Sequence, residues 1–141
     1  MSELKTAGYS GTPLPKKLGL KDGQAVAFLD LPASLEGLTS ATQFPSVHRE
    51  AAPGAGLDVV HAFYTSAQKL TAELDKLRAA IRPNGMIWIS WPKKAAKMET
   101  DITEDVVRRL ALARGLVDVK VCAVDEVWSG LKLVIPVKLR G

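Results

Sequence analysis

The stretch VDVKVCAVDEVWSGLKLVIPVK, residues 117–138, decides the fold. It holds two apolar segments rich in β-branched residues, VDVKVCAV and LKLVIPVK, separated by a short connection around DEVWSG. A parallel crossover between two strands needs a dozen or more residues, so this connection is too short for one. The last strand is therefore predicted to run antiparallel to the strand before it.

The rest of the chain alternates between apolar strands and helical segments. The stretches AVAFLDL (25–31), LDVVHAFY (57–64) and MIWISW (86–91) are apolar on both faces, which is typical of central strands covered by helices on each side. SVHRE (46–50) alternates and is predicted as a polar edge strand. The pattern predicts an α/β fold: a three-layer, Rossmann-like, mostly parallel sheet with an antiparallel C-terminal strand.

Two segments carry the signals of regular helices. In the first, Thr65 and Gln68 have capping-box spacing, an apolar stripe follows, and Pro83-Asn84-Gly85 ends the helix. In the second, Asp101 can cap the helix with Glu104 three residues on, and Gly115 ends it. The apolar stripes consist of Leu70, Leu74, Leu77 and Ile81 in the first helix and Val106, Val107 and Leu110 in the second.

Two shorter helices are also expected. The first takes Thr12 as its N-cap, Pro13 in its first turn and Gly19 as its left-handed end. The other begins at Pro32 and carries Leu35 and Leu38.

Length and composition are those of one soluble domain. The chain has 141 residues, of which 47% are hydrophobic and 24% charged. We expect a single domain over 1–141, with an N-terminal arm and short helix over 1–22 and a sheet domain over 23–141. A lone Cys122 excludes an internal disulfide and a multi-cysteine metal site. No apolar run approaches the ~20 residues of a membrane-spanning helix, so we expect no membrane partner and a cytoplasmic protein.

The charge pattern argues against a nucleic-acid-binding protein. The net charge is +4, and acidic residues are interleaved with the lysines over most of the chain. A nucleic-acid footprint usually shows a continuous basic stripe with stacking aromatic residues. A solvated surface is the simpler interpretation, and nucleic acid is an unlikely partner.

The order of the elements resembles that of class I S-adenosylmethionine-dependent methyltransferases, whose otherwise parallel sheet ends in an antiparallel hairpin. The stretch LRAAIRPNGMIWISW (77–91) is also similar to their later part, where a turn of the Leu-x-Pro-Gly-Gly type precedes an apolar strand. Ile81 to Gly85 would occupy that turn. The resemblance concerns the fold and implies little about activity.

A second resemblance covers nearly the whole chain. The stretches AGYSGTPLPKKLGLKDG (7–23) and WISWPKKAAKMETDITEDVVRRLALARGLVDVKVCAVDEVWSGLKLV (88–134), and the order between them, are similar to a bacterial family catalogued as domain of unknown function 3052. This resemblance implies a methyltransferase-like, Rossmann-type α/β domain in a bacterial protein, without implying a particular activity.

The loop after the first strand lacks the residues of a standard cofactor site. In methyltransferases that strand ends in an acid and a Gly-x-Gly turn, because glycine lets the backbone approach the cofactor. Here the loop is Asp30-Leu31-Pro32-Ala33-Ser34, in which Leu31 fills space and Pro32 removes a backbone donor. Glu50 is the only acid placed to hold ribose hydroxyls. We therefore expect no cofactor of the S-adenosylmethionine or dinucleotide type, although a helix N-terminus there could hold a small anion.

Polar and aromatic residues converge instead at two other strand ends. Open α/β sheets bind ligands at the carboxyl ends of their strands. The loop after MIWISW and the turn before the last strand both belong to that edge, with backbones expected about 5–10 Å apart because neighbouring strands lie ~4.8 Å apart. The candidate ligand-binding rim consists of Trp91, Lys93, Lys94, Asp125, Glu126, Trp128 and Ser129.

Each of these residues has a structural alternative. Trp91 can cover the core, the lysines can be solvated, and Asp125 and Glu126 can pair with them as surface ion pairs. Cys122 and His61 lie in strands and are predicted as core residues. We see no catalytic triad, P-loop or metal-binding motif, so no residue is predicted to be catalytic and no metal is expected.

These observations predict a methyltransferase-like binding or interaction module without catalysis, whose partner is a small anionic ligand or a protein. The alternative is an atypical methyltransferase, or another enzyme acting on an anionic small molecule held by Lys93 and Lys94.

Overall fold

The computed structural model describes residues 12–140. The part of the predicted N-terminal arm that precedes Thr12 lies outside the described residues. The elements follow the chain as α1 (Leu14–Lys17), β1 (Ala25–Leu29), a 3-10 segment (Ala33–Ser40), β2 (Ser46–His48), β3 (Leu57–Phe63), α2 (Ala67–Ala80), β4 (Ile81–Pro92), a 3-10 turn (Lys94–Ala96), α3 (Glu104–Leu112), β5 (Val117–Ala123), β6 (Trp128–Val134) and a last 3-10 turn (Val137–Leu139).

One six-stranded sheet, of order β2-β1-β3-β4-β6-β5, organises these elements. β1 runs parallel to both β2 and β3, and β3 runs parallel to β4. β6 lies between β4 and β5 and is antiparallel to both. The prediction of a mostly parallel α/β sheet with an antiparallel last strand is confirmed.

The two faces of the sheet are covered differently. On one face, which we call the helical face, α2 and α3 pack their apolar stripes, including Leu70, Leu74 and Leu77, against the strands. On the other face, which we call the short-segment face, α1 and the 3-10 segment contribute the buried side chains Leu14, Leu18, Leu35 and Leu38. The fold therefore has the three predicted layers, one of them made of short pieces.

The caps of the two long helices differ from those predicted. Ser66, not Thr65, is the N-cap of α2, and its hydroxyl accepts from the Lys69 amide at 3.2 Å. Thr103, not Asp101, caps α3 by accepting from the Val106 amide at 3.2 Å. Each cap is the hydroxyl residue directly before the first helical residue, whose side chain reaches the amide three residues on.

Asp101 instead caps the other helix. Its carboxylate accepts from the amide of Ala67, the first residue of α2, at 2.8 Å. The adjacent Thr100 hydroxyl donates to the Thr65 carbonyl at 2.8 Å. A carboxylate near the N-terminus of α2 also interacts favourably with the helix dipole. The loop before α3 is thus fastened to the start of α2, a long-range contact that helix-capping patterns do not reveal.

Several element boundaries also differ from the predictions. α1 begins at Leu14 with Pro13 as its N-cap instead of Thr12. Gly19, two residues beyond the end of α1, has the predicted left-handed backbone, with φ of 74°. The weak helix is 3-10 in geometry. β6 begins at Trp128, three residues before the predicted Leu131, because Trp128 already pairs with Pro92 of β4 directly after the turn that follows β5.

The end of α2 was predicted too late. Ile81 is already extended and pairs with Leu57, so the helix ends before Pro83-Asn84-Gly85. Gly85 is required in this irregular start of β4 because an added Cβ would lie 2.9 Å from the Leu57 carbonyl oxygen. The backbones of β3 and β4 approach each other closely here, and no side chain fits between them.

Candidate functional site

The carboxyl end of β4 and the start of β6 lie side by side. Trp91 pairs with Ser129 and Pro92 with Trp128, and the Lys93 amide donates to the Val127 carbonyl at 2.7 Å. The two segments proposed as one rim are thus direct neighbours, and the expected backbone adjacency is confirmed.

Trp91 and Trp128 nevertheless point to opposite sides of the sheet. Trp91 packs in the core of the helical face and Trp128 in the core of the short-segment face. Neighbouring residues of a strand alternate between faces, and these two sit one register step apart. Their exposed fractions are only 6% and 9%. The predicted rim therefore does not form one continuous surface, and the alternative given for Trp91, in which the side chain covers the core, describes both tryptophans better.

A cleft opens on the helical-face side of this edge, between the end of β4 and the start of α3. Its volume is about 510 Å³. We call it the α3 cleft. It is lined by Trp91, Pro92, Lys93, Lys94, Met98, Thr100, Ile102, Thr103, Glu104 and Ser129.

Four of the seven predicted rim residues line the α3 cleft: Trp91, Lys93, Lys94 and Ser129. The lining residues that the sequence did not predict come mainly from the loop that leads into α3. Met98 is 42% exposed, whereas Ile102 is buried. Thr100 and Thr103 line the cleft because the hydrogen bond from the Thr100 hydroxyl to the Thr65 carbonyl holds this loop against the edge of the sheet. The sequence predicted a helix cap at Asp101 in this loop, but nothing local indicated that the loop folds back over Trp91.

The charges in the α3 cleft are unevenly partnered. Within residues 12–140, no carboxylate forms an ion pair with Lys93 or Lys94. On the opposite wall, Glu104 pairs with Arg108, which also binds Asp118 at 3.0 Å. The cleft therefore presents two cationic side chains beside an apolar wall and a carboxylate that is already engaged.

Asp125 has a structural role in the turn between β5 and β6. Its carboxylate accepts from the Val127 amide at 2.8 Å and from the Trp128 amide at 2.7 Å. Glu126 is exposed at the tip of the same turn. Neither acid forms an ion pair with Lys93 or Lys94 in the described part of the chain, so the predicted pairing does not occur. Both acids lie outside the lining of the α3 cleft.

A second, smaller cleft lies at the carboxyl ends of β1 and β3. Its volume is about 200 Å³, and we call it the β1 cleft. The Lys69 ammonium binds the Asp30 carboxylate at 2.8 Å, joining the start of α2 to the loop after β1. The Tyr64 hydroxyl donates to Glu73 at 2.6 Å, and burial beside that carboxylate raises the pKa of Tyr64. The cleft is lined by Asp30, Phe63, Tyr64, Thr65, Ser66, Lys69 and Trp128.

The residues around the β1 cleft do not fit a cofactor of the S-adenosylmethionine type. Pockets for such ligands usually measure about 300–1,000 Å³, more than this cleft offers. Asp30 has φ of 55°, the left-handed backbone that glycine usually supplies, and its side chain is engaged by Lys69. Pro32 offers no amide donor. Glu50, the proposed ribose ligand, is exposed two residues beyond β2.

The remaining reactive groups are core residues, as predicted. Burial raises the pKa of the Cys122 thiol, which keeps it a weak nucleophile. His61 lies within hydrogen-bond distance of the Ser90 hydroxyl, at 2.7 Å, and burial lowers its pKa to about 3. Within residues 12–140, no group of three or more His, Cys, Asp or Glu residues could hold a metal ion. None of the helices described is long and apolar enough to cross a membrane.

Comparisons with known proteins establish the fold. No family model matches the chain, and no curated protein matches it. A SAM-dependent methyltransferase from Aquifex aeolicus is similar in structure, with a TM-score of 0.64 and 18% identity over 85% of this chain and 86% of that one. Magnesium protoporphyrin IX methyltransferase from Synechocystis PCC 6803 gives a TM-score of 0.57 and 14% identity, covering 80% of this chain and 70% of that one.

A TehB-like SAM-dependent methyltransferase from Corynebacterium glutamicum has a TM-score of 0.61 at 8% identity, over 86% of this chain and 85% of that one. At such low identity these similarities concern the fold. The chain has the Rossmann-like α/β fold of SAM-dependent methyltransferases in a small form.

Proposed function

We propose that this chain is a binding module that holds a small organic anion in the α3 cleft and carries out no reaction. The difference in size between the two clefts supports this proposal most directly. The α3 cleft, at about 510 Å³, has the volume of a small-molecule site, whereas the β1 cleft, at about 200 Å³, is too small for the cofactor of similar folds.

The lining of the α3 cleft matches an anion with an apolar part. Lys93 and Lys94 supply positive charge without a carboxylate partner among the described residues. Trp91, Ile102 and Met98 supply an apolar wall. The Ser129 hydroxyl adds a polar contact that would orient a carboxylate or phosphate.

The lining favours binding over catalysis because its described residues include no histidine or cysteine, and its one carboxylate and the Thr103 hydroxyl are already engaged. A general base or nucleophile has to be free to exchange a proton with the substrate. The Thr103 hydroxyl caps α3, and Arg108 engages the Glu104 carboxylate. An enzyme of the methyltransferase class is the second candidate, because several structures similar in fold are SAM-dependent methyltransferases.

Fluorescence titration tests the proposal, because Trp91 lines the α3 cleft. The probes are benzoate, hexanoate and phenyl phosphate at constant ionic strength. At least one should cause a saturable change in emission, and the Lys93→Gln/Lys94→Gln double variant should weaken its binding at least tenfold. A Lys76→Gln/Lys138→Gln variant has the same net charge and alters exposed lysines outside the cleft, so it should bind like wild type.

Equal binding by both double variants would contradict the α3 cleft as the site, and so would the absence of a saturable change with all three probes. Methyl transfer from S-adenosylmethionine to any acceptor would contradict the non-catalytic part and favour the enzyme.

A further inference from the structure

Four lysines gather on the short-segment face, where it passes over β5 and β6. Lys120 and Lys132 are direct cross-strand partners. Both lie on this face, because Cys122 and Gly130, two residues away on the same strands, contact its core: Cys122 packs there, and an added Cβ at Gly130 would meet Trp88. We call Lys17, Lys21, Lys120 and Lys132 the lysine face.

The other two lysines come from α1 and the turn after it. The Lys17 ammonium donates to the Ala123 carbonyl at 3.3 Å, so this side chain lies along β5. Burial, together with the positive charges of Lys120 and Lys21, lowers the pKa of Lys132. Like charges directly opposite each other in a strand pair destabilise the sheet. The fold thus holds Lys120 and Lys132 opposite each other at a cost in stability.

Nearby acids do not neutralise this charge. Asp22, next to Lys21 in the chain, accepts from the Thr42 hydroxyl and from the Gln43 amide at 2.8 Å. Asp118, near Lys120, binds Arg108 of α3 on the opposite face at 3.0 Å. In the described part of the chain, no ion pair involves a member of the lysine face.

We propose that the lysine face is a second binding site, separate from the α3 cleft, for a small anion that carries two or more phosphate groups. Lys120 and Lys132 have Cα atoms about 5 Å apart, as cross-strand partners do. Ala123, which Lys17 contacts, lies three residues along β5 from Lys120, a distance of about 10 Å. An anion with several phosphate groups is long enough to contact Lys17 at one end and the Lys120–Lys132 pair at the other.

The aromatic side chains favour a small anion over a nucleic acid. Proteins that bind single strands usually stack bases on exposed aromatic rings. On this face Trp88 is 1% and Trp128 9% exposed, and Trp88 donates its indole N–H to the Leu18 carbonyl at 2.9 Å. These rings are therefore closed to bases.

Calorimetric titration with inorganic tripolyphosphate at constant ionic strength tests this site on the full chain. Wild type should bind saturably, and Lys120→Gln/Lys132→Gln should bind at least tenfold more weakly. Lys76→Gln/Lys138→Gln removes the same charge from exposed positions elsewhere and should bind like wild type. Without ligand, Lys120→Gln/Lys132→Gln should melt at the same or a higher temperature than wild type, because the like-charge repulsion is gone.

Three results would overturn the proposal. The first is equal tripolyphosphate binding by the two double variants. The second is binding of sulfate as tight as that of tripolyphosphate, which would indicate a general charge effect. The third is tighter binding of a single-stranded oligonucleotide than of tripolyphosphate, which would assign the face to nucleic acid.

Discussion

The helical face and the short-segment face cover the same six strands with opposite means. α2 and α3 place regular apolar stripes on the helical face, and their buried residues form one large cluster with the strands. α1 has four residues and the 3-10 segment eight, so the short-segment face is covered by only a few leucines. That face also holds the buried His61–Ser90 pair, Cys122 and the lysine face.

The two faces therefore differ in what they contribute: one contributes mainly to stability, and the other holds most of the unusual polar and charged side chains. Regular helices bury their stripes in close packing, and such packing leaves little room for unusual groups. Short segments leave more of the sheet partly covered. Charged side chains, such as those of the lysine face, can lie on the part that remains open. We expect the helical face to dominate stability and the short-segment face to set the response to pH and anions.

The largest expected effect is Leu74→Ala in α2. Leu74 is fully buried beneath the helix, so its truncation should lower the free energy of unfolding by ~2–5 kcal/mol through lost burial and a cavity. Leu35→Ala on the short-segment face should cost at least ~1 kcal/mol less, because a 3-10 segment collapses into a cavity more easily than a helix held at both ends. Urea unfolding measures both.

Lys76→Ala is the control for this comparison, since Lys76 is exposed on α2 and should change stability by less than ~0.5 kcal/mol. If Leu35→Ala cost as much as Leu74→Ala, the two faces would contribute equally and the comparison would fail. A large effect of Lys76→Ala would mean that the buried stripe of α2 is misassigned.

The next effect is a loss of stability in mild acid, caused by His61. Its pKa is about 3 in the folded chain and near 6.5 when unfolded, so between these values only the unfolded state takes up the proton. Stability contributed by the neutral ring is thus fully present above pH 6.5 and falls as the pH drops. From pH 7 to pH 5 the loss should be about 2 kcal/mol, because the slope approaches 1.36 kcal/mol per pH unit below pH 6.5.

His61→Gln keeps a hydrogen-bonding group near Ser90 and does not titrate. Its absolute stability will be lower, because the ring stacked on Phe63 at 4.4 Å is lost. The measured quantity is therefore the slope of stability against pH between 7 and 5, which should be much flatter in the variant. Equal slopes would show that another group causes the acid sensitivity.

The sequence predicted the helical face well because its signals are local. The spacing of Leu70, Leu74 and Leu77 places three side chains on one side of a helix whatever the rest of the chain does. The short connection between β5 and β6 likewise allows only one relative direction. These features depend on neighbours within about ten residues, which a sequence displays directly.

The site was predicted only in part because it depends on contacts distant in sequence. Strand order placed Trp91 beside Ser129, but the one-step register that sends Trp91 and Trp128 to opposite faces is visible only in the pairing. Asp101 caps a helix that begins 34 residues earlier, a contact that no local pattern could reveal. The lysine face was missed because its members come from α1, the following turn, β5 and β6.

The smallest expected effect is the response to S-adenosylmethionine, and it concerns the loop that joins β1 to the 3-10 segment of the short-segment face. Asp30 is held by Lys69, and Pro32 has no amide to offer a ligand. Millimolar S-adenosylmethionine or S-adenosylhomocysteine should therefore leave the melting temperature unchanged.

A ligand present at a hundred times its Kd would add ~2.7 kcal/mol to the free energy of unfolding, which in a domain of this size shifts the melting temperature by several degrees. Differential scanning fluorimetry resolves such a shift, with buffer of matched ionic strength as the control. A clear, saturable increase would contradict this interpretation of the β1 cleft and would favour an enzyme.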